Sequence, residues 1–198
     1  VVGLLIGVAT PAGAVNKVIL ANDREMVARR IEWRESAQEY RIETPEGTVL
    51  PLPKAQVARL EIDKPAEYDR AAQMIAARQF DAAIPVLTDL ITKFKMLVWD
   101  NEARKLLALA YMGKNDPKKA ASTLDEYFTA VPKDQVPADV QLVYWNALLA
   151  ADRASTLKKD LDEVIATGPR EMAAAAQIMR GNMNRQAGQK EAAALDYL

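Results

Sequence analysis

The sequence predicts a mainly helical α+β protein in which a small antiparallel β-sheet or barrel precedes an α-α solenoid of helical hairpins. Three observations lead to this prediction. Apolar and β-branched residues alternate with period two between residues 15 and 63, a pattern typical of half-buried strands. After Asp63, glycine is rare and apolar residues recur three and four positions apart, which is the period of an amphipathic helix. The helical part also repeats at a nearly constant interval, as stacked hairpins do.

The β region, residues 15–63, contains five alternating runs, at 18–20, 26–35, 40–44, 48–52 and 57–62. In the longest run, Ile31 and Trp33 share one face while charged residues occupy the other. Gly47 provides a turn between two runs. Pro51 and Pro53 limit how far the fourth run can pair, because proline has no N–H to donate to a neighbouring strand. We therefore expect a small antiparallel sheet or barrel.

The helical region, residues 64–198, repeats at intervals of 37, 37 and 36 residues. The interval recurs at three sets of positions, namely Ala71, Ala108, Trp145 and Gly181, then Ala83, Ala120, Leu157 and Ala193, then Leu87, Leu124, Leu161 and Tyr197. We assign four units, at residues 64–100, 101–137, 138–173 and 174–198, the last incomplete. Each unit is predicted to be two helices whose small residues face each other, so that neighbouring units must stack to bury their apolar faces.

Capping residues support the helix boundaries. Pro65 is suited to the first turn of a helix, and Asp81 and Asp116 are suited to cap the second helix of their units. Pro117 stands where a first helical residue tolerates proline. We interpret the three tryptophans, Trp33, Trp99 and Trp145, as packing residues rather than ligand platforms.

This repeat resembles the tetratricopeptide-repeat (TPR) family. The resemblance is carried most clearly by the second unit, at Leu107, Ala108, Tyr111, Ala120, Leu124 and Pro132, with Tyr127 departing from the motif. In the third unit, Trp145 and Leu157 replace both small residues, which predicts a divergent or splayed hairpin. The β region resembles the SH3-like or Sm-like barrels that precede helical repeats in some exported bacterial proteins; a plain four- or five-stranded sheet is the alternative.

The resemblance implies a groove lined by the first helix of each hairpin, which binds an extended peptide or a helix. The implied groove positions are Tyr68, Ala72, Lys105, Leu109, Met112, Leu142, Asn146, Ile178, Asn182 and Arg185. We selected Tyr68, Lys105, Leu109, Asn146, Asn182 and Arg185 as partner-binding candidates. The two asparagines stand at equivalent positions and could hold a peptide backbone, although solvated helix residues are the alternative. Leu109 stands where a carboxylate-clamping repeat has asparagine, so such a clamp is not expected.

Composition excludes several kinds of chemistry. The chain has no cysteine and no histidine, which excludes thiol nucleophiles, imidazole bases and the usual zinc sites. Residues 1–64 carry nine basic and nine acidic residues, and the remaining residues carry 17 and 18, so neither region has the basic excess typical of nucleic-acid binding. The arginines near the long strand alternate with glutamates, which favours charge pairing over phosphate binding. We therefore expect no enzyme activity, no cofactor or metal, and no nucleic-acid partner.

Residues 1–14 form an apolar run that ends in Ala12-Gly13-Ala14, a pattern typical of a signal peptide and its cleavage site. A buried strand or a truncated membrane anchor is the alternative. We therefore expect a protein exported to the periplasm or cell envelope, near a membrane, that binds a partner protein or peptide as a scaffold. A self-associating structural subunit and an accessory domain of an enzyme remain alternatives.

Overall fold

The computed structural model describes residues 16–198, which form two compact units. The β unit comprises the described residues up to Ala66 together with Thr92–Asp100, and the helical unit comprises Glu67–Ile91 together with Asn101–Leu198. The predicted fold class, with small antiparallel sheets followed by helices packed as sequential pairs, is confirmed. The predicted signal segment, residues 1–14, lies outside the described residues.

The described part of the β unit contains six strands rather than the five predicted. They are β1 (Asn16–Leu20), β2 (Glu25–Ala28), β3 (Arg30–Arg34), β4 (Glu39–Glu43), β5 (Val49–Pro53) and β6 (Val57–Glu61). They form two three-stranded antiparallel sheets with the strand orders β2-β1-β6 and β3-β4-β5.

The prediction of one long strand over residues 26–35 was wrong, because the chain changes sheets at Arg29. Ala28 and Ile31 are both buried, and side chains three residues apart cannot share a face of one regular strand. One strand therefore ends at Ala28 and the next begins at Arg30. Between them, the N–H of Arg29 donates to the carbonyl of Glu43 at 2.8 Å.

The pairing of β3 with β4 separates apolar from charged side chains. Ile31 lies opposite Ile42, and Trp33 lies opposite Tyr40 with the ring centroids 4.9 Å apart. The alternate positions place opposite charges across from each other, in the pairs Arg30–Glu43, Glu32–Arg41 and Arg34–Glu39. Opposed charges on neighbouring strands stabilise the register.

Residues 92–100, between the second and third helices, pack with the β unit. Leu97 is buried in the same core cluster as Val18 and Ile42. The hydroxyl of Tyr40 donates to the carbonyl of Met96 at 3.2 Å, and the indole N–H of Trp99 donates to the carbonyl of Ile62 at 2.9 Å. These contacts fix the segment against the sheets.

Residues 16–198 contain eight α-helices. They are α1 (Ala66–Ala76), α2 (Phe80–Lys93), α3 (Trp99–Gly113), α4 (Pro117–Ala130), α5 (Ala138–Ala150), α6 (Ala154–Thr167), α7 (Arg170–Gln186) and α8 (Lys190–Asp196). The predicted cap of α4 is confirmed, since the Asp116 side chain accepts from the N–H of Lys119 and Pro117 is the first helical residue. The predicted cap of α2 was wrong: this helix begins at Phe80, which places Asp81 inside its first turn.

The turn inside each hairpin has the same backbone geometry. Its left-handed residue is Arg78, Asn115, Asp152 and Gly188 in the four hairpins, with φ between 58° and 76°. The N–H of the next residue donates back to a carbonyl in the preceding helix at 2.8–2.9 Å, in the pairs Gln79–Met74, Asp116–Tyr111, Arg153–Leu148 and Gln189–Asn184. This arrangement is the Schellman motif, which closes a helix with a left-handed residue.

Small residues lie where the paired helices approach. Ala71, Ala83, Ala108 and Ala120 are completely buried. In the fourth hairpin the ring of Tyr197 lies against Gly181, so close that an added Cβ would overlap it. Trp145 and Leu157 are also completely buried, so the third hairpin packs through large side chains in place of small ones.

Candidate functional site

The helical unit contains a cleft between the first helices of three successive hairpins, which we call the inner cleft. Its volume is about 160 Å³. Nine residues from α1, α3, α4 and α5 line it, namely Tyr68, Glu102, Lys105, Leu106, Leu109, Leu124, Asp139, Val140 and Val143.

Helical periodicity brings these side chains to the cleft. Glu102, Lys105, Leu106 and Leu109 stand at relative positions 0, 3, 4 and 7 of α3, so they share one face of the helix. The neighbouring residues Ala103, Leu107 and Ala110 are buried on other sides of α3. One face of α3 is thus left to line the cleft.

The cleft joins an apolar surface to a charged rim. Leu106, Leu109, Leu124, Val140 and Val143 provide the apolar surface. On the rim, the Lys105 ammonium lies 2.6 Å from a carboxylate oxygen of Glu102, with about a fifth of the Lys105 side chain and a third of the Glu102 side chain exposed. Asp139, in the first turn of α5, adds a second carboxylate.

The carboxylates of this rim contribute to raised pKa values at two tyrosines, Tyr68 and Tyr127. Burial, with smaller contributions from Glu102 and Asp69, raises the pKa of Tyr68 above its ordinary value. Burial, followed by Glu102 and then Asp139, raises the pKa of Tyr127. Carboxylates near a phenol disfavour its anionic form, so both hydroxyl groups lie in a negative field.

The structure brings together three of the six selected binding residues. Tyr68, Lys105 and Leu109 all line the inner cleft. The other three do not line it. The Asn146 amide donates to the Leu142 carbonyl of its own helix at 2.8 Å. The Asn182 side-chain oxygen accepts from the Tyr197 hydroxyl at 2.9 Å, and Arg185 is exposed near the end of α7.

The two carboxylates of the cleft were missed from the sequence. Glu102 stands three residues before Lys105, a spacing at which helical side chains meet, so its sequence position carried a usable signal. Asp139 lies on another helix, and its approach to the cleft depends on how α3 and α5 pack.

The β unit has a wider, more open cleft of about 620 Å³ beside Trp33. Its charged side chains are largely engaged with one another. Glu35 accepts from the Trp33 indole at 2.9 Å and lies 2.7 Å from the Lys95 ammonium. These two contacts, that of Lys95 first, hold the pKa of Glu35 below its ordinary value.

The arginine-rich strands show the expected charge pairing. Arg30 lies 2.6 Å from Glu32, and Arg41 lies 3.8 Å from the same carboxylate. Arg29 lies 3.5 Å from Glu43. This pairing offsets the positive charge that a phosphate-binding surface would need.

Comparison of the chain with protein-family models, curated proteins and solved structures finds no match. Among residues 16–198, no helix is both long and apolar enough to cross a bilayer. The same residues contain no cluster of three or more acidic side chains suited to holding a metal ion.

Proposed function

We propose that this protein is a protein-interaction scaffold, related to TPR proteins, that binds an extended peptide or a segment of a partner protein through the inner cleft. One observation carries the proposal: α1, α3 and α5 belong to successive hairpins, and their side chains converge on one partly apolar cleft. A peptide that crosses α1 and then α3 would meet Tyr68 on the first helix and Lys105 and Leu109 on the second.

The size and lining of the cleft favour a peptide over a small-molecule substrate. Pockets for small ligands usually have about 300–1,000 Å³, whereas the inner cleft has about 160 Å³. A mainly apolar lining with a charged rim supports the binding of a peptide segment.

We also propose export to the periplasm or cell envelope, on the basis of the apolar segment at residues 1–14 and the small residues Ala12 and Ala14. Fractionation of cells that produce the native protein tests this. N-terminal sequencing of an envelope fraction is expected to begin near Val15. Recovery in the cytoplasm with residues 1–14 retained would contradict export.

A peptide array tests the binding proposal. Substitution of Leu109 by Glu places a charge on the apolar surface, and Leu109→Trp fills the cleft; we expect both to abolish capture of the peptides that the unchanged protein binds. Leu109 is 39% exposed, so both variants should fold, as far-ultraviolet circular dichroism can verify. Leu195→Glu is the control, because Leu195 lies on α8, is 74% exposed and does not line the cleft.

The same variants separate a second candidate function, self-association as a structural subunit. Ile178 on α7 and Leu195 on α8 are exposed by 56% and 74%, and exposed apolar side chains favour association. If the protein self-associates through this surface, light scattering should show oligomers that Leu195→Glu disrupts and Leu109→Glu does not. If instead the peptide array shows that only the Leu109 variants lose peptide capture, the result supports the scaffold.

A further inference from the structure

The inner cleft has the volume of a single side chain. A closed apolar cavity of about 150 Å³ binds one benzene molecule, and the inner cleft measures about 160 Å³. Its apolar lining residues are Leu106, Leu109, Leu124, Val140 and Val143. A leucine, methionine or phenylalanine side chain therefore fits both its size and its apolar surface.

The charges around the cleft are unbalanced. Two carboxylates, Glu102 and Asp139, and one ammonium, Lys105, belong to its lining. Because Lys105 is already 2.6 Å from Glu102, the lining carries a net negative charge centred towards Asp139.

We infer that the inner cleft selects a basic segment, in which one apolar side chain enters the cleft and a neighbouring lysine or arginine lies against Asp139. This inference rests on the proposed function, because it names the kind of peptide that the same cleft binds. Opposite charge at the rim sets specificity, while the apolar side chain provides the buried contact. An acidic segment would add a like charge to the rim and bind more weakly.

Three matched peptides test the inference by fluorescence anisotropy with the full chain. Each places one leucine in a serine background, flanked on both sides by lysine, by serine or by glutamate. At low ionic strength we expect the lysine peptide to bind about tenfold more tightly than the glutamate peptide, since exposed ion pairs contribute modestly. Added salt should reduce this preference. A fourth peptide, with lysines flanking alanine, should lose most of the affinity.

Charge-neutralising variants assign the preference to the cleft. Asp139→Asn leaves Glu102 paired with Lys105 and the lining without net charge, so it should bring the lysine and glutamate peptides to within about twofold of each other. The control is Asp134→Asn, which removes one exposed carboxylate outside the cleft lining, and it should keep the preference.

The outcomes distinguish failure of this inference from failure of the proposed function. If none of the four peptides nor any array peptide binds, the proposed function is overturned together with the inference. If the serine or glutamate peptide binds as tightly as the lysine peptide, the basic preference is overturned while peptide binding stands. If the alanine peptide binds as tightly as its leucine counterpart, the single-side-chain cleft is overturned.

Discussion

The indole N–H of Trp145 donates a 2.6 Å hydrogen bond to Asp160, which also accepts from the Gln141 amide at 2.6 Å. Asp160 lies on α6, and the two donors lie on α5. Trp145 is completely buried at a position where two of the other three hairpins have alanine. A large residue with one polar atom thus replaces small-residue packing and still leaves its N–H paired.

We expect Trp145→Phe to lower the free energy of unfolding by about 2 kcal/mol, because it removes buried volume and the hydrogen bond to Asp160. Trp145→Ala should lower it by about 4 kcal/mol. Urea unfolding followed by circular dichroism measures both. Trp33→Phe is the control: its indole bonds to the exposed Glu35, so a loss below about 1 kcal/mol is expected. An equal or larger loss in the control would contradict the assigned role of Trp145.

The four left-handed turns predict a stabilising substitution at Arg78, whose φ is 58°. A residue with a Cβ is strained in this conformation by about 1–2 kcal/mol, and glycine is not. After the greater flexibility of glycine in the unfolded chain is allowed for, Arg78→Gly should raise the free energy of unfolding by about 0.5 kcal/mol.

Two further variants check this explanation. Gly188→Ala should be destabilising by about 1 kcal/mol, since Gly188 has a φ of 76° in the equivalent turn. Arg70→Gly, in the middle of α1, should also be destabilising by about 1 kcal/mol because of the low helix propensity of glycine. If Arg78→Gly were as destabilising as Arg70→Gly, turn strain would not be the cause.

The hairpins could be predicted because their signal is local and repeated. Ala71, Ala83, Ala108 and Ala120 recur at intervals that only a repeating unit explains. The shared turn geometry was not predicted, because its left-handed position holds Arg78, Asn115, Asp152 and Gly188, four different residue types. At this position the hydrogen bonds that close the first helix determine the left-handed backbone conformation, and the residue type has little influence on that conformation.

The remaining differences come from tertiary structure. Arg29 and Arg30 interrupt the alternation, but the change of sheet itself follows from the burial of both Ala28 and Ile31. In the inner cleft, Tyr68, Lys105 and Leu109 were selected by their equivalent places in the repeat. Asp139 was missed because packing between helices, rather than spacing within one helix, brings it to the rim.

Tyr144 predicts a specific loss of stability at alkaline pH. Burial, followed by the 2.7 Å hydrogen bond that its hydroxyl donates to Asp125, raises the pKa of Tyr144 well above its ordinary value. The folded protein therefore holds this proton more tightly than the unfolded chain. The resulting stabilisation is complete below about pH 10, the ordinary pKa of tyrosine, and decreases as the pH rises above it.

Tyr144→Phe should accordingly show a shallower loss of stability above about pH 10 than the unchanged protein. Urea unfolding at a series of alkaline pH values measures the slope. Trp33→Phe changes no titrating group and should keep the original slope. An unchanged slope in Tyr144→Phe would mean that the hydrogen bond to Asp125 does not retain the proton.

Asp100 predicts a local effect in the β unit. Asp100 is 3% exposed, and one of its carboxylate oxygens accepts a hydrogen bond from the N–H of Met96 at 3.0 Å. Met96 has a left-handed backbone, with a φ of 62°. Asp100→Ala removes this acceptor and should lower the free energy of unfolding of the β unit by about 2 kcal/mol. Asp100→Asn keeps an oxygen acceptor, so a smaller loss is expected. Asp89→Ala, at an exposed position on α2, is the control and should change stability by less than about 0.5 kcal/mol.

Limited trypsin digestion checks whether this effect is local to residues 92–100. Lys93 and Lys95 stand in that segment, and local opening exposes such sites to cleavage. Asp100→Ala should be cleaved at these lysines faster than the unchanged protein, while cleavage after the exposed Arg185 keeps its rate. A uniform increase at all sites would show that Asp100 supports global stability rather than this segment, because global unfolding exposes every site alike.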